Sequence, residues 1–109
     1  MNLDIQDIAT SMIDAARAEV AGRWPQVKTL AEMELRRLAQ SLAEVAQLLA
    51  DGKIGEAHAR QLVHMHQIAA RAILLSVQGI ALLTAEQAIR SAVGAAARTI
   101  NGVAKVTLL

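Results

Sequence analysis

Apolar residues recur at helical spacing along most of the chain, and two breaks divide them into three stretches. The first stretch covers about residues 3–21, where Asn2 or Asp4 is placed to cap the start of a helix. Gly22 lies where a helix C-cap is expected, and Pro25 fits the first position of the next helix. The apolar positions of the first stretch share one helical face: Leu3, Ile8, Met12, Ala16 and Val20.

The second stretch, about residues 25–50, has the clearest amphipathic pattern in the chain. Its apolar seam has spacings of three and four: Leu35, Leu38, Leu42, Val45 and Leu49. We expect the carboxylates of Glu32, Glu34 and Glu44 to lie on the opposite, solvated side. Asp51 and Gly52 supply a turn, and so short a connection predicts an antiparallel helical hairpin with the third stretch.

The third stretch, about residues 55–100, is helical in pattern, but its polar face changes sides between Gln78 and Gln87. One explanation is a break near Thr84, which begins a Thr-x-x-Gln capping box. The other is one continuous helix whose partners differ along its length. A heptad-like seam favours the continuous helix and a left-handed supercoil. The seam runs through Met65, Ile68, Ala72, Leu75, Gly79, Leu82, Glu86, Ile89, Val93 and Ala96.

A continuous third helix would be about 65 Å long. A compact domain of this size has a radius of gyration of about 13 Å, so much of the helix would need apolar partners outside its own chain. We therefore expect a homo-oligomer, most simply a dimer, with the seam at the interface. Glu86 is the charged residue on this seam; Arg90 follows one turn later and can pair with it, so Glu86 is a candidate for setting the register.

Asn101 and Gly102 are typical of a helix end, and residues 103–109 are compatible with a strand, a helix or a tail. The predicted fold is therefore all-α and forms one domain over residues 1–109. An antiparallel hairpin carries an extra N-terminal helix, and the third helix is very long or broken near Thr84. Copies of the chain are expected to assemble into a homo-oligomeric helical bundle.

Composition narrows the range of functions. The chain of 109 residues has no cysteine, one tryptophan and a formal net charge of +1. Cysteine-based metal sites and disulfides are therefore excluded, and the scattered basic residues do not favour nucleic acid as a partner. The longest uncharged run, residues 72–85, is too short to span a membrane, and the N-terminus lacks the charge of a secretory signal. We expect a soluble cytoplasmic protein.

The three histidines, His58, His64 and His66, are the candidate metal ligands. On a helix, His64 and His66 point about 160° apart, and neither a Glu-x-x-His nor a His-Glu-x-x-His pair occurs. A metal site would therefore need a second copy of the chain. No serine lies in a nucleophile motif, and the glycines form no phosphate-binding loop.

These patterns indicate a self-associating structural or protein–protein interaction module without catalytic activity, catalytic residues or a cofactor. Its expected partner is a second copy, with another protein as an alternative partner. Two other functions remain open. One is a metal- or ligand-binding bundle of ferritin-like type that is completed in the oligomer. The other is an amphipathic protein of the membrane surface.

Overall fold

The computed structural model describes residues 4–109, which form four α-helices and no strand. The helices are α1 (Ile5–Val20), α2 (Trp24–Ala50), α3 (Glu56–Leu75) and α4 (Leu82–Ala104), and a 3-10 turn (Ala21–Arg23) joins α1 to α2. The prediction of an all-α chain is confirmed. Residues 1–3, which include the predicted start of the first helix and the alternative cap Asn2, lie outside the described part of the chain.

The four helices pack with α2 and α4 in the middle. Both α1 and α3 contact α2 and α4, but α1 and α3 do not contact each other. Arg60 and Arg71 of α3 reach Thr107 and Glu86 respectively, so α3 and α4 run antiparallel. The radius of gyration is 13.5 Å and the longest dimension is 42 Å, as expected for a compact domain.

Local chemistry explains where α1 and α2 begin. The Asp4 carboxylate accepts hydrogen bonds from the backbone N–H groups of Gln6 and Asp7 at 3.0 and 3.2 Å, so it caps α1 as predicted. Pro25 lies in the first turn of α2, where a missing N–H has no consequence. The C-cap of α1 is Ala21 rather than Gly22, and its φ of 56° is unusual for a residue with a Cβ.

The seam of α2 is buried as its pattern predicts: Leu35, Leu38, Leu42 and Val45 are all in the core, and Leu49 is partly buried. Glu34 differs from the expectation. Its residue is only 7% exposed, because it lies beside α3 in the groove between α2 and α3. The prediction of a solvated Glu34 is therefore wrong, and its nearest cation is the Arg37 guanidinium at 3.8 Å.

The prediction of one continuous third helix is also wrong. Residues 76–81 leave the helical path, and α4 folds back along α3. The Ile80 N–H donates to the Val77 carbonyl at 3.3 Å and closes a tight turn, in which Gly79 has a φ of +91°. A helix of about 65 Å would leave its second half without a core, whereas folding back buries Ile89 and Ile100.

The break does not use the predicted capping box. Ala81 is the N-cap of α4, and no side chain caps this end; Thr84 lies inside the first turn. The predicted stop at Asn101 and Gly102 is wrong as well. The helix continues to Ala104 and ends at Lys105, whose φ of 64° is left-handed.

The C-terminal tail after α4 is held against the bundle. The side-chain oxygen of Asn101 accepts hydrogen bonds from the backbone N–H groups of Leu108 and Leu109, both at 2.8 Å. The Arg60 guanidinium donates to the Thr107 carbonyl at 3.0 Å, and Leu108 is buried. Asn101 therefore folds the tail back instead of ending the helix.

Rows of alanine lie on both helices of the most extensive helix contact in the bundle. The contact between α1 and α4 is the most extensive of all helix pairs, and small side chains allow backbones to approach closely. Ala9 and Ala16 are buried on α1. On α4 the buried alanines are Ala85, Ala88, Ala92, Ala96 and Ala104, whereas Ala95 and the N-cap residue Ala81 are exposed.

Candidate functional site

The predicted interface seam is divided by the break between α3 and α4. Its first half is on the surface: Met65, Ile68 and Ala72 are exposed on α3, and Leu82 is exposed at the start of α4. Leu75 and Glu86 are partly buried, and Gly79 lies in the turn. The second half, Ile89, Val93 and Ala96, is buried against helices of the same chain.

One face of α3 is apolar and open to solvent. We define the α3 outer face as Met65, Ile68, Ala69 and Ala72, which are exposed and lie within one strip of the helix surface. Met65 is 58% exposed and Ile68 is 42% exposed. Large apolar side chains at neighbouring positions of a surface are typical of a contact site, whereas single exposed ones are common everywhere.

Beside this face lies a groove between α3 and α4. The α3–α4 groove has a volume of about 310 Å³ and is lined by apolar and polar side chains. Its apolar residues are Ile68, Ile89 and Val93, and its polar residues are His64, Gln67, Arg71, Glu86 and Arg90. The groove exists because α3 and α4 make the least extensive contact among the pairs of α-helices that touch.

Glu86 pairs across this groove and not along its own helix. The Arg71 guanidinium of α3 donates to the Glu86 carboxylate at 3.2 Å, and both side chains are about one-third exposed. The expected pair between Glu86 and Arg90 is absent from the ion pairs of residues 4–109. Arg90 therefore lines the groove without an ion-pair partner among the described residues.

Sequence reasoning missed Arg71 as a partner of Glu86. The two residues are fifteen positions apart, and on one continuous helix they could not meet. Once the chain reverses near Gly79, Arg71 and Glu86 are placed opposite each other. The available signal was the change of polar side between Gln78 and Gln87, which the chain reversal explains.

The three histidines lie at three separate places. His64 lines the α3–α4 groove, His66 lines the groove between α2 and α3, and His58 is exposed near the start of α3. The two-residue spacing of His64 and His66 predicts this placement on opposite flanks. Within residues 4–109, no three side chains of His, Asp or Glu come together in a group that could hold a metal ion.

Comparisons with known proteins do not assign a family. Across the described residues 4–109, no helix is both long enough and apolar enough to cross a bilayer. The chain matches no protein-family model. Comparisons with curated proteins and with solved structures find no significant similarity.

Proposed function

We propose that this protein is a self-associating interaction module, in which the α3 outer face packs against the same face of a second copy. The observation that carries the proposal is the pair of exposed large apolar side chains, Met65 and Ile68, on one strip of α3. From Glu56 to Leu75 the helix is continuous and packs against α2 and α4. It can therefore present this strip without refolding.

A second copy fits this face for three reasons. First, α3 has no residue with a formal charge between Arg60 and Arg71, so the centre of a symmetric contact would not bring like charges together. Second, Ala69 and Ala72 are small, which allows the two α3 backbones to approach each other closely. Third, the net charge of +1 produces little repulsion between copies.

The size of the α3 outer face predicts a weak and reversible dimer. The helix has 20 residues, and its length is about 30 Å. The exposed apolar strip covers only residues 65–72 of this helix, so it buries well below the roughly 800 Å² that each partner contributes to a standard interface. Burying the exposed parts of Met65 and Ile68 stabilises the dimer by about 1 kcal/mol for each side chain. Four such side chains in a symmetric dimer give about 4 kcal/mol, so we expect a dissociation constant on the order of 1 mM.

Analytical ultracentrifugation over a concentration series tests this proposal. The native chain should shift from monomer to dimer with increasing concentration, and Met65→Glu should weaken the dimer at least about tenfold because it buries a charge in an apolar contact. Met33 is the matched control, since it is 60% exposed but lies on α2. Met33→Glu should leave the equilibrium unchanged. A native chain that stays monomeric up to about 1 mM, or equal effects of the two substitutions, would refute self-association through α3.

A further inference from the structure

We propose that the α3–α4 groove is a binding site for a small aliphatic carboxylate; it lies beside the α3 outer face and shares Ile68 with it. The apolar tail would lie on Ile68, Ile89 and Val93, and the carboxylate would bind the guanidinium of Arg90. The groove volume of about 310 Å³ is at the lower end of the range for ligand sites, which begins at about 300 Å³. It therefore fits a medium-length chain and excludes a large cofactor.

The charges in the groove favour a ligand with one negative charge. Arg71 and Glu86 neutralise each other through their ion pair at 3.2 Å. Arg90 lines the same groove and forms no ion pair among residues 4–109, so one positive charge remains uncompensated. A planar guanidinium offers two parallel N–H donors, which match the two oxygens of a carboxylate.

The remaining polar side chains of the groove can add hydrogen bonds to the same anion. His64 and Gln67 both lie on the α3 side and carry N–H donors, whereas Arg90 lies on α4. A carboxylate at the rim would thus be reached from both helices. A dianionic phosphate is matched less well, because the groove has one uncompensated guanidinium rather than a cluster of them.

The apolar part of the groove predicts a dependence on chain length. Ile89 and Val93 are buried in the bundle, and Ile68 borders the groove from α3. Each methylene that the groove takes out of water should tighten binding by up to about fourfold. Decanoate should therefore bind at least about tenfold more tightly than hexanoate, until the tail extends beyond the groove.

The test is a titration of the full chain with decanoate, followed by methyl NMR of Ile89 and Val93 and by isothermal calorimetry. Arg90→Gln should weaken binding at least about tenfold, which is typical of losing a charge-assisted hydrogen bond. Arg98 is the matched control, because it is an exposed arginine of α4 that neither lines the groove nor forms an ion pair among residues 4–109. Arg98→Gln should leave decanoate affinity unchanged within about twofold.

Further probes separate this site from non-specific binding. Decyltrimethylammonium has the same tail with the opposite charge, and it should not perturb the methyl signals of Ile89 and Val93. Inorganic phosphate should not compete with decanoate. The proposal is overturned if Arg90→Gln and Arg98→Gln bind decanoate equally, if the cationic probe binds as well as decanoate, or if phosphate displaces it. Sedimentation of Arg90→Gln should match that of the native chain, so failure of the ligand site is distinguishable from failure of self-association.

Discussion

The turn between α3 and α4 depends on Gly79, and replacing this residue tests the chain reversal directly. Gly79 has a φ of +91°, in a region that residues with a Cβ rarely adopt. A Cβ built on it would lie 2.6 Å from the Nη1 atom of Arg23. Gly79→Ala should therefore strain the backbone and displace the end of the Arg23 side chain.

The magnitude follows mainly from the backbone. Forcing alanine into a left-handed conformation costs about 1–2 kcal/mol. Displacing the guanidinium adds little, because the contact is with the far end of a flexible side chain. If residues 76–81 instead continued one long helix, the same substitution would stabilise the protein by about 0.5–1 kcal/mol, since alanine has the higher helix propensity. The two structures therefore predict opposite signs.

Thermal or urea unfolding followed by circular dichroism measures this sign. We expect Gly79→Ala to lower the free energy of unfolding by about 1–2 kcal/mol, and the Tm by about 4–10 °C. Gly94 is the matched control, because it lies inside α4 and a Cβ there would meet nothing within 4 Å. Gly94→Ala should raise stability by about 0.5–1 kcal/mol. An increase in stability for both variants would refute the turn and restore the continuous helix.

Three further predictions concern the packing of the bundle. Asn101→Ala should release the C-terminal tail and lower stability by about 1–2 kcal/mol, because two backbone N–H groups lose their acceptor; unchanged hydrogen exchange in the tail would contradict this. Ala92→Leu should destabilise the fold by about 1–3 kcal/mol through overpacking in the bundle core, whereas the exposed Ala95→Leu should be nearly neutral. Urea unfolding distinguishes them, and equal losses would rule out close packing at the buried alanine. A double-mutant cycle of Arg71→Gln and Glu86→Gln should give a coupling of about 0.5 kcal/mol that decreases with added salt; a coupling of zero at low salt would show that the pair does not stabilise the fold.

Helical periodicity identified α2 well. Its apolar seam faces neighbouring helices along its length, so the seam positions are buried or partly buried, as the pattern predicts. It misled in the third stretch, where the same spacing continues through Gly79. The heptad-like seam extends over α3 and α4 because each helix has an apolar face of its own. The face of α3 that continues the seam is exposed, whereas the corresponding face of α4 is in the core.

Glu34 and Arg90 show two different limits for the candidate sites. A helical wheel places Glu34 within about 40° of Leu38 and Val45, at the border of the apolar seam, and α3 then covers it. Spacing along α4 pairs Arg90 with Glu86, but the fold brings Arg71 to Glu86. A local pattern specifies which residues share a helix face, whereas partners from distant segments depend on how the helices are arranged.

The sequence by itself determined that the chain is helical, that Asp4 is one of two residues placed to cap α1 and that His64 and His66 diverge. Those features depend on contacts within a few residues, for which backbone geometry is sufficient. Only the tertiary structure decided that the third stretch reverses at residues 76–81, that Ile89, Val93 and Ala96 enter the core, and that the α3 outer face stays exposed. The physical reason is that a strained glycine turn has a small local cost, whereas the apolar burial gained by folding α4 back onto the bundle is summed over the whole helix.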